Sequence, residues 1–343
     1  MDAKAKKRYG SRERKKLKRH KFILRILFLV VLGIVLIGLP IVLITNNAEP
    51  DPIIIDDSET EVMIEDEETE TETELILDFT PELFAAMQNE LEVRLQEMAD
   101  QAPGIVGLSY YCLTTGRHIE INADQYFFSA STIKLPAHML IAEAVQDGNL
   151  SWDQYLTFTP EVAAYGSGIL QHTIQLGDTL TVAELMRHSI VYSDNVAHRM
   201  LIRTFASNGL EFLWNQMDLT NLVFERYLPG EIPAGRLIMT PNQLTEIFRV
   251  LYRDRDHIEG YGMILEYMMN TSWMNRFYTE LASGYVAHTP GWLDPYSHDS
   301  GIFFTEWPYI LVVFTSGMPS AENYLAEISD MILEMHLNFE SFN

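Results

Sequence analysis

Cysteine and lysine are the residues that this chain almost lacks. Cys112 is the only cysteine among 343 residues, so no intrachain disulfide can form. This excludes a small disulfide-stapled scaffold and requires a core large enough to hold the domain together. Lys134 is the only lysine after residue 45, whereas the eleven other cations of that region are arginines. The pattern favours a site that needs a compact, titratable amine, the alternative being drift in an arginine-preferring sequence.

Positive charge is scarce outside the amino terminus. Residues 1–25 hold twelve of the 24 lysines and arginines, and residues 46–78 hold fourteen acids with no lysine or arginine. Residues 79–343 carry twelve cations against thirty-two acids. Nucleic-acid binding needs clustered cations on the folded part of a protein. The distribution therefore excludes a nucleic-acid partner.

An uncharged apolar stretch follows the basic tail. Residues 26–45 are long enough to cross a bilayer as a helix, and no small-x-small cleavage pattern follows them. A buried core helix and a cleaved signal peptide are the alternatives. The positive-inside rule keeps residues 1–25 in the cytoplasm and predicts a single-pass protein of the cell membrane with an extracytoplasmic domain. Residues 46–78 are too acidic to fold alone and predict an extended, disordered linker.

The remainder, residues 79–343, predicts one α+β domain. A first helix is expected to begin at Thr80-Pro81, and a final helix over Ala321–Leu337. Between them lie two strands, a long helical insert and three more strands. The predicted strands of this five-stranded antiparallel sheet are 105–113, 117–121, 285–289, 301–305 and 309–316. Terminal helices should cover one face, and the insert should form an all-helical lobe with helices over 132–146, 182–205, 240–252 and 263–278. A cleft is expected where this lobe meets the sheet edge.

Two polar motifs in this domain carry chemistry. Ser131 precedes Lys134 by three residues at the start of a helix, so the amine lies on the same face as the hydroxyl and can act as its general base. The second motif is Ser193-Asp194-Asn195. As a purely structural feature it would be a polar kink with Asp194 as a helix cap. The order of the two motifs, each followed by an apolar helical run, favours a catalytic site.

With these motifs the sequence resembles class A β-lactamases and the wider penicillin-recognising serine hydrolases. The resemblance covers most of residues 79–343. It is carried by the segments Phe127-Phe128-Ser129-Ala130-Ser131-Thr132-Ile133-Lys134, Ser193-Asp194-Asn195, Met239-Thr240-Pro241 and Val286-Ala287-His288. It implies a β-lactamase/transpeptidase-like fold with Ser131 as the acylated nucleophile, activated by Lys134. It also implies that Ser193 relays a proton to the leaving nitrogen, that Asn195 orients the substrate amide, and that no metal or cofactor takes part.

The third motif departs from the family pattern. Where the family has Lys-Thr-Gly, this chain has Thr289-Pro290-Gly291, and no cation replaces the lysine that binds the substrate carboxylate. The resemblance assigns Thr289 and Gly291 to substrate binding and a backbone N–H near Trp292, with that of Ser131, to the oxyanion hole. A proline in this strand requires a position at the sheet edge. His288 is either a substitute for the missing cation or a plain strand residue.

The residue that would activate water for deacylation is less well defined by the sequence. Glu225 falls near the family's position, although the surrounding pattern differs and Glu231 is also within reach. A solvated acid in a loop is the alternative for both. Without a positioned base an acyl-enzyme turns over slowly.

Three functions remain open from the sequence. The first is a serine hydrolase or acyltransferase that acts on β-lactams or cell-wall peptides. The second is a catalytically weak, membrane-anchored domain that binds or senses cell-wall peptide. The third is an interaction module that keeps the fold and has lost the site. Ser131, Lys134 and Ser193 favour the first, and Thr289-Pro290 favours the second.

The membrane orientation is directly testable in intact cells. Protease added outside should degrade the domain and leave the tail of residues 1–25 protected, because the predicted helix keeps that tail in the cytoplasm. Permeabilised cells, in which the tail is also degraded, are the control. Amino-terminal sequencing that finds mature protein beginning after Ala48 would contradict the anchor.

Overall fold

The computed structural model of this protein describes residues 71–207 and 237–340. The predicted tail 1–25, the predicted span 26–45 and the linker up to residue 70 lie outside these ranges. Within them, none of the helices has the length and apolar character needed to cross a bilayer.

The described chain keeps the predicted frame of a first helix, two strands, a helical insert, further strands and a final helix, and it adds short strands that the sequence does not predict. The strands are β1 Ile105–Cys112, β2 His118–Ile121, β3 Phe127–Phe128, β4 Tyr155–Thr157, β5 Thr179–Thr181, β6 Ile238–Met239, β7 Val286–His288, β8 Gly291–Leu293, β9 Tyr296–Phe303 and β10 Tyr309–Ser316. The helices are α1 Thr71–Asp100, α2 Lys134–Gln146, α3 Leu170–Thr173, α4 Val182–Val191, α5 Asn195–Ser207, α6 Pro241–Asp254, α7 Glu259–Met269 and α8 Ala321–Glu340.

The main sheet is antiparallel and combines the two ends of the domain. Its order is β2-β1-β10-β9-β7, and β8 also pairs with β9. The predicted α+β arrangement is confirmed, with six strands where five were expected. Strand β8 was missed, and β9 begins at Tyr296, earlier than the predicted residue 301. The lobe is not all-helical as predicted, because β4 and β5 pair within it as a two-stranded sheet. Residues 297–300 are polar and indicate a loop by composition, yet all four are buried in the strand.

Three predicted helix boundaries are wrong. Helix α1 begins at Thr71 and not at the predicted Thr80-Pro81, so residues 71–78 of the predicted linker are helical and Pro81 lies inside the helix. Glutamates near a helix N-terminus favour this longer helix. The predicted helix over 182–205 is broken between α4 and α5, at the second motif. Helix α7 covers Glu259–Met269 in place of the predicted 263–278. Beyond its end the chain turns away, because the backbone N–H and hydroxyl of Ser272 both donate to the carbonyl of Val191 at the end of α4.

The sheet has a hydrophobic core on each face. Alternate residues of β10 point to opposite sides, as strand geometry requires. Ile310, Val312 and Phe314 pack with the helical lobe and α6. Leu311 and Val313 pack on the other face with α1 and α8, the terminal helices that were predicted to cover it. The first motif, with Ser131 and Lys134, and the second motif lie in the lobe. The third motif lies at the edge formed by β7 and β8.

Candidate active site

Residues 129–133, which contain Ser131 and are called the nucleophile turn, form a tight turn at the junction of lobe and sheet. Strand β3 pairs with β6, and a 3-10 helix over Ala130–Ile133 leads directly into α2. Ala130 adopts a left-handed conformation with φ 48°, which lets the chain reverse between strand and helix. In a 3-10 helix, residues three apart eclipse each other. Ser131 and Lys134 therefore share a face, as the sequence predicts.

The amine of Lys134 is buried and held by the second motif. It donates to the carbonyl oxygen of Ser193 at 2.6 Å, to the Oγ of Ser193 at 3.2 Å and to the Oδ1 of Asn195 at 2.7 Å. The structure thus brings together three of the four predicted catalytic residues. The expected hydrogen bond to Ser131 is not formed. The hydroxyl of Ser131 is half-buried and makes no hydrogen bond with the residues that the structure describes.

Burial sets the proton affinity of this amine. Desolvation lowers the pKa of Lys134 from 10.5 to about 7, against a smaller opposing effect of the charge on Asp194. About half of the molecules then carry a neutral amine at neutral pH. Of its three partner atoms only the Ser193 hydroxyl can donate as well as accept. When Lys134 loses its proton, that hydroxyl can donate to the amine, so the geometry allows a proton to pass between the two groups.

Asp194 holds the second motif in place without pairing with the lysine. Its Oδ1 accepts from the backbone N–H groups of Val196 and Ala197, which caps α5, and its Oδ2 accepts from the N–H of Leu170 at the start of α3. The structural role suggested by the sequence is therefore confirmed. Between α4 and α5, Ser193 adopts a left-handed conformation with φ 50°. This break turns the Ser193 carbonyl toward Lys134.

The third motif interrupts the edge of the sheet beside the nucleophile turn. The N–H of Thr289 donates to the Ser300 carbonyl at 2.8 Å. Pro290 separates β7 from β8, and both pair with β9, so the proline lies at the sheet edge as expected. A Cβ atom on Gly291 would lie 3.1 Å from the Ser129 carbonyl oxygen, so the glycine allows close approach to the turn. Trp292 follows with its side chain exposed.

His288 does not replace the missing cation. Its side chain is fully buried, and its Nδ1 lies 2.9 Å from the Oδ2 of Asp299. Asp299 also accepts from the N–H groups of Phe277 and Ser300. The interpretation of His288 as a substrate-binding cation is therefore wrong, because this network holds the imidazole inside the sheet.

Comparison with known proteins supports the family and the fold. A family model described as the beta-lactamase enzyme family matches residues 90–335. The chain belongs to the beta-lactamase enzyme family. Beta-lactamase VEB-1 of Pseudomonas aeruginosa is 22% identical over 130 residues, which are 38% of this chain and 44% of that relative. The matched part therefore spans less than half of the length of VEB-1.

Solved structures share the fold of this beta-lactamase family member at low identity. PBP-A is 22% identical with a TM-score of 0.62, covering 71% of this chain and 95% of that one. A PBP-A mutant is also known as an acyl-enzyme complex with penicillin G. An ancestral class A β-lactamase is 20% identical with a TM-score of 0.61, covering 71% and 99% of the two chains.

The predicted deacylation base lies outside the described residues, as does Glu231. Glu225 falls in the stretch between α5 and β6, and its assignment stays a prediction. Metal-binding groupings of histidine, cysteine and acidic side chains are absent from the part of the chain that the structure describes.

Sequence reasoning missed two glycines that enclose the second motif. Gly166 and Gly168 have φ values of 107° and 103°. A Cβ atom on Gly166 would lie 2.9 Å from the Nδ2 of Asn195, and one on Gly168 would overlap the carboxyl group of Asp194. The Asn195 Nδ2 donates to the carbonyl of Tyr165 at 2.8 Å. The close spacing of these two glycines in the sequence was the one signal that could have indicated a turn with close backbone contacts here.

Replacing Gly168 by alanine should disrupt the second motif. Gly168→Ala combines an unfavourable backbone conformation with a clash against Asp194, and we expect a loss of about 2–4 kcal/mol in the free energy of unfolding. Urea denaturation measures it. The matched control is Gly177→Ala, where φ is 92° and the added Cβ meets no atom within 4 Å. Equal losses for the two variants would contradict the steric role of Gly168.

Proposed function

We propose that the domain is a serine acyl-transfer enzyme that forms an acyl-enzyme at Ser131 with β-lactams or cell-wall peptides. One observation carries the proposal: a buried lysine with a pKa of about 7 contacts Ser193 and Asn195 beside a nucleophile turn. A buried amine without a carboxylate partner is destabilising in a purely structural role. It is useful as a base that is neutral near pH 7.

In the proposed reaction the Ser131 oxygen attacks the substrate carbonyl and its proton passes to the neutral amine of Lys134. The carbon–nitrogen bond then breaks, and the Ser193 hydroxyl protonates the leaving nitrogen while it receives a proton from Lys134. The product is an ester at Ser131, and Lys134 is again neutral. We assign Asn195 to the substrate amide, and the N–H groups of Ser131 and Trp292 to the oxyanion. We also assign Thr289 and Gly291, at the edge of the sheet, to substrate binding.

Hydrolysis of this ester would complete the cycle of a class A β-lactamase. It requires a base for water, and Glu225 is our candidate for that base. If no base is positioned, the acyl-enzyme persists and the protein acts as a penicillin-binding enzyme.

The second candidate is a catalytically weak domain that binds or senses cell-wall peptide. The third motif favours it, because Thr289-Pro290 brings no cation to the substrate carboxylate and His288 is committed to Asp299. We propose for either function that residues 26–45 anchor the domain outside the cell membrane. That position would give it access to cell-wall peptides.

Acylation of Ser131 is testable with a reactive penicillin. Incubation should add one acyl group, located to Ser131 by peptide mass analysis, and Ser131→Ala should abolish it. Ser151→Ala, at an exposed serine of the lobe, is the control and should label normally. Lys134→Met should slow labelling by about a hundred- to ten-thousandfold, the usual effect of losing a general base.

Two further measurements separate a basic role of Lys134 from a purely electrostatic one. Lys134→Arg keeps the charge and cannot deprotonate, so it should also lose activity. In the unaltered protein the labelling rate should rise with pH until the amine is neutral, about tenfold per unit below pH 7, and then level off. Full activity of the arginine variant would contradict the assignment, and absence of label on the folded protein would favour the binding function.

The third motif makes a separate prediction about affinity. Replacing Thr289-Pro290 by Lys-Thr should strengthen penicillin labelling at low ligand concentration by about ten- to a hundredfold. A charge-assisted hydrogen bond to a carboxylate contributes roughly 1.5–3 kcal/mol. The apparent ligand concentration for half-maximal labelling measures the effect. An unchanged value, with the variant folded, would contradict the charge argument.

A further inference from the structure

His298 of β9 lies between two backbone groups with a defined tautomer. Its Nδ1 accepts from the N–H of Thr315 at 3.1 Å, and its Nε2 lies 2.8 Å from the carbonyl oxygen of Phe128. A backbone N–H can only donate, so Nδ1 carries no proton. The proton is therefore on Nε2, which donates to Phe128. Both ring nitrogens are satisfied only in this neutral form.

Aromatic packing keeps the imidazole in this orientation. The ring is fully buried and stacks on Phe314 with centroids 4.3 Å apart. Phe127 meets it edge-on at 6.1 Å. Burial also lowers the pKa of His298 to about 4. The Nε2–H donor is therefore present throughout the pH range in which Lys134 is neutral.

Phe128 is the last residue of β3, immediately before the nucleophile turn. On its other side the turn is bound to Leu237, whose carbonyl accepts from the N–H and Oγ of Ser129 at 2.8 and 3.0 Å. The Ser129 carbonyl in turn accepts from the N–H and hydroxyl of Thr132. The turn is thus held from two directions, by Leu237 before β6 and by His298 on the main sheet.

We propose that His298 is a positioning residue for Ser131: its Nε2–H bond to the Phe128 carbonyl fixes the nucleophile turn against the main sheet. His298 itself does not touch the substrate. The inference rests on the proposed function, because the orientation of Ser131 matters only if Ser131 is acylated. Its consequence is that the rate of acylation depends on one donor at the Nε2 position, whereas initial binding of the ligand does not.

Glutamine and asparagine at position 298 test the Nε2 donor separately from the Nδ1 acceptor. The amide nitrogen of glutamine lies about where Nε2 lies in histidine, so His298→Gln can donate to Phe128. The amide of asparagine ends one bond earlier, so His298→Asn can accept from Thr315 and cannot reach Phe128. We expect His298→Gln to acylate within about threefold of the unaltered protein. His298→Asn should acylate about ten- to a hundredfold more slowly, the effect of a small misplacement of a reacting group.

The experiment measures the acylation rate constant and the initial dissociation constant of a reactive penicillin for the full chain. The expected result is a change in the rate constant alone, ordered with glutamine faster than asparagine. His336→Asn is the control for a buried histidine, because His336 bonds to Tyr110 in the core on the other sheet face. It should lose stability and keep the acylation rate. Equal rates for the glutamine and asparagine variants would overturn the proposal.

A second readout does not depend on acylation. Amide hydrogen exchange at Thr132, whose N–H donates to Ser129, should be faster in His298→Asn than in His298→Gln, because the turn has lost its bond to the sheet. If the unaltered protein takes no label and this difference is present, the proposed function fails, and with it the role in acylation, although the His298 bond still holds the turn. If the protein is labelled and exchange is equal in the two variants, the positioning role fails alone.

Discussion

The site depends on one constraint, the burial of the Lys134 amine. Desolvation disfavours its charged form, and its three acceptor atoms are all neutral, so the burial lowers the pKa of Lys134 to about 7. A carboxylate in contact would restore the charge. Asp194 lies between Ser193 and Asn195, which both contact the amine, yet three backbone N–H groups donate to its carboxylate oxygens. The helix cap therefore maintains both the shape of the second motif and the chemistry of the lysine.

The way the chain is folded brings the three motifs together from separate layers. The two ends of the domain build the sheet, and the insert builds the lobe that carries Ser131 and Ser193. The third motif approaches from the sheet edge, where Gly291 comes close to the nucleophile turn. The site thus lies at a layer junction, and contacts across that junction set its geometry. His298 makes such a contact from the sheet, whereas Gly166 and Gly168 shape the second motif from within the lobe.

The polar run in β9 connects the main sheet to this junction. Ser297, His298, Asp299 and Ser300 are all buried. Asp299 fixes His288, and the hydroxyl of Ser300 donates to the Thr289 carbonyl at 3.1 Å. Buried polar groups are tolerated when they are hydrogen-bonded, and here their bonds hold the edge that carries the third motif. Residues 297–300 of β9, whose composition is typical of a loop, therefore hold the sheet edge at the site in place.

The sequence by itself determined the α+β order, the two-ended sheet, the helical lobe and the three motifs. Each of these follows from local hydrophobic periodicity or from a short polar pattern next to a helical run. Only the tertiary structure decided that α4 and α5 are separate helices, that β9 begins at Tyr296, and that the Lys134 amine contacts Ser193 and Asn195 in place of Ser131. It also decided that His288 is committed to Asp299, and that Gly168 must be small because Asp194 lies against it. The physical reason is common to these cases: burial and long-range hydrogen bonds between residues far apart in the chain override local preference, and neither can be read from neighbouring residues.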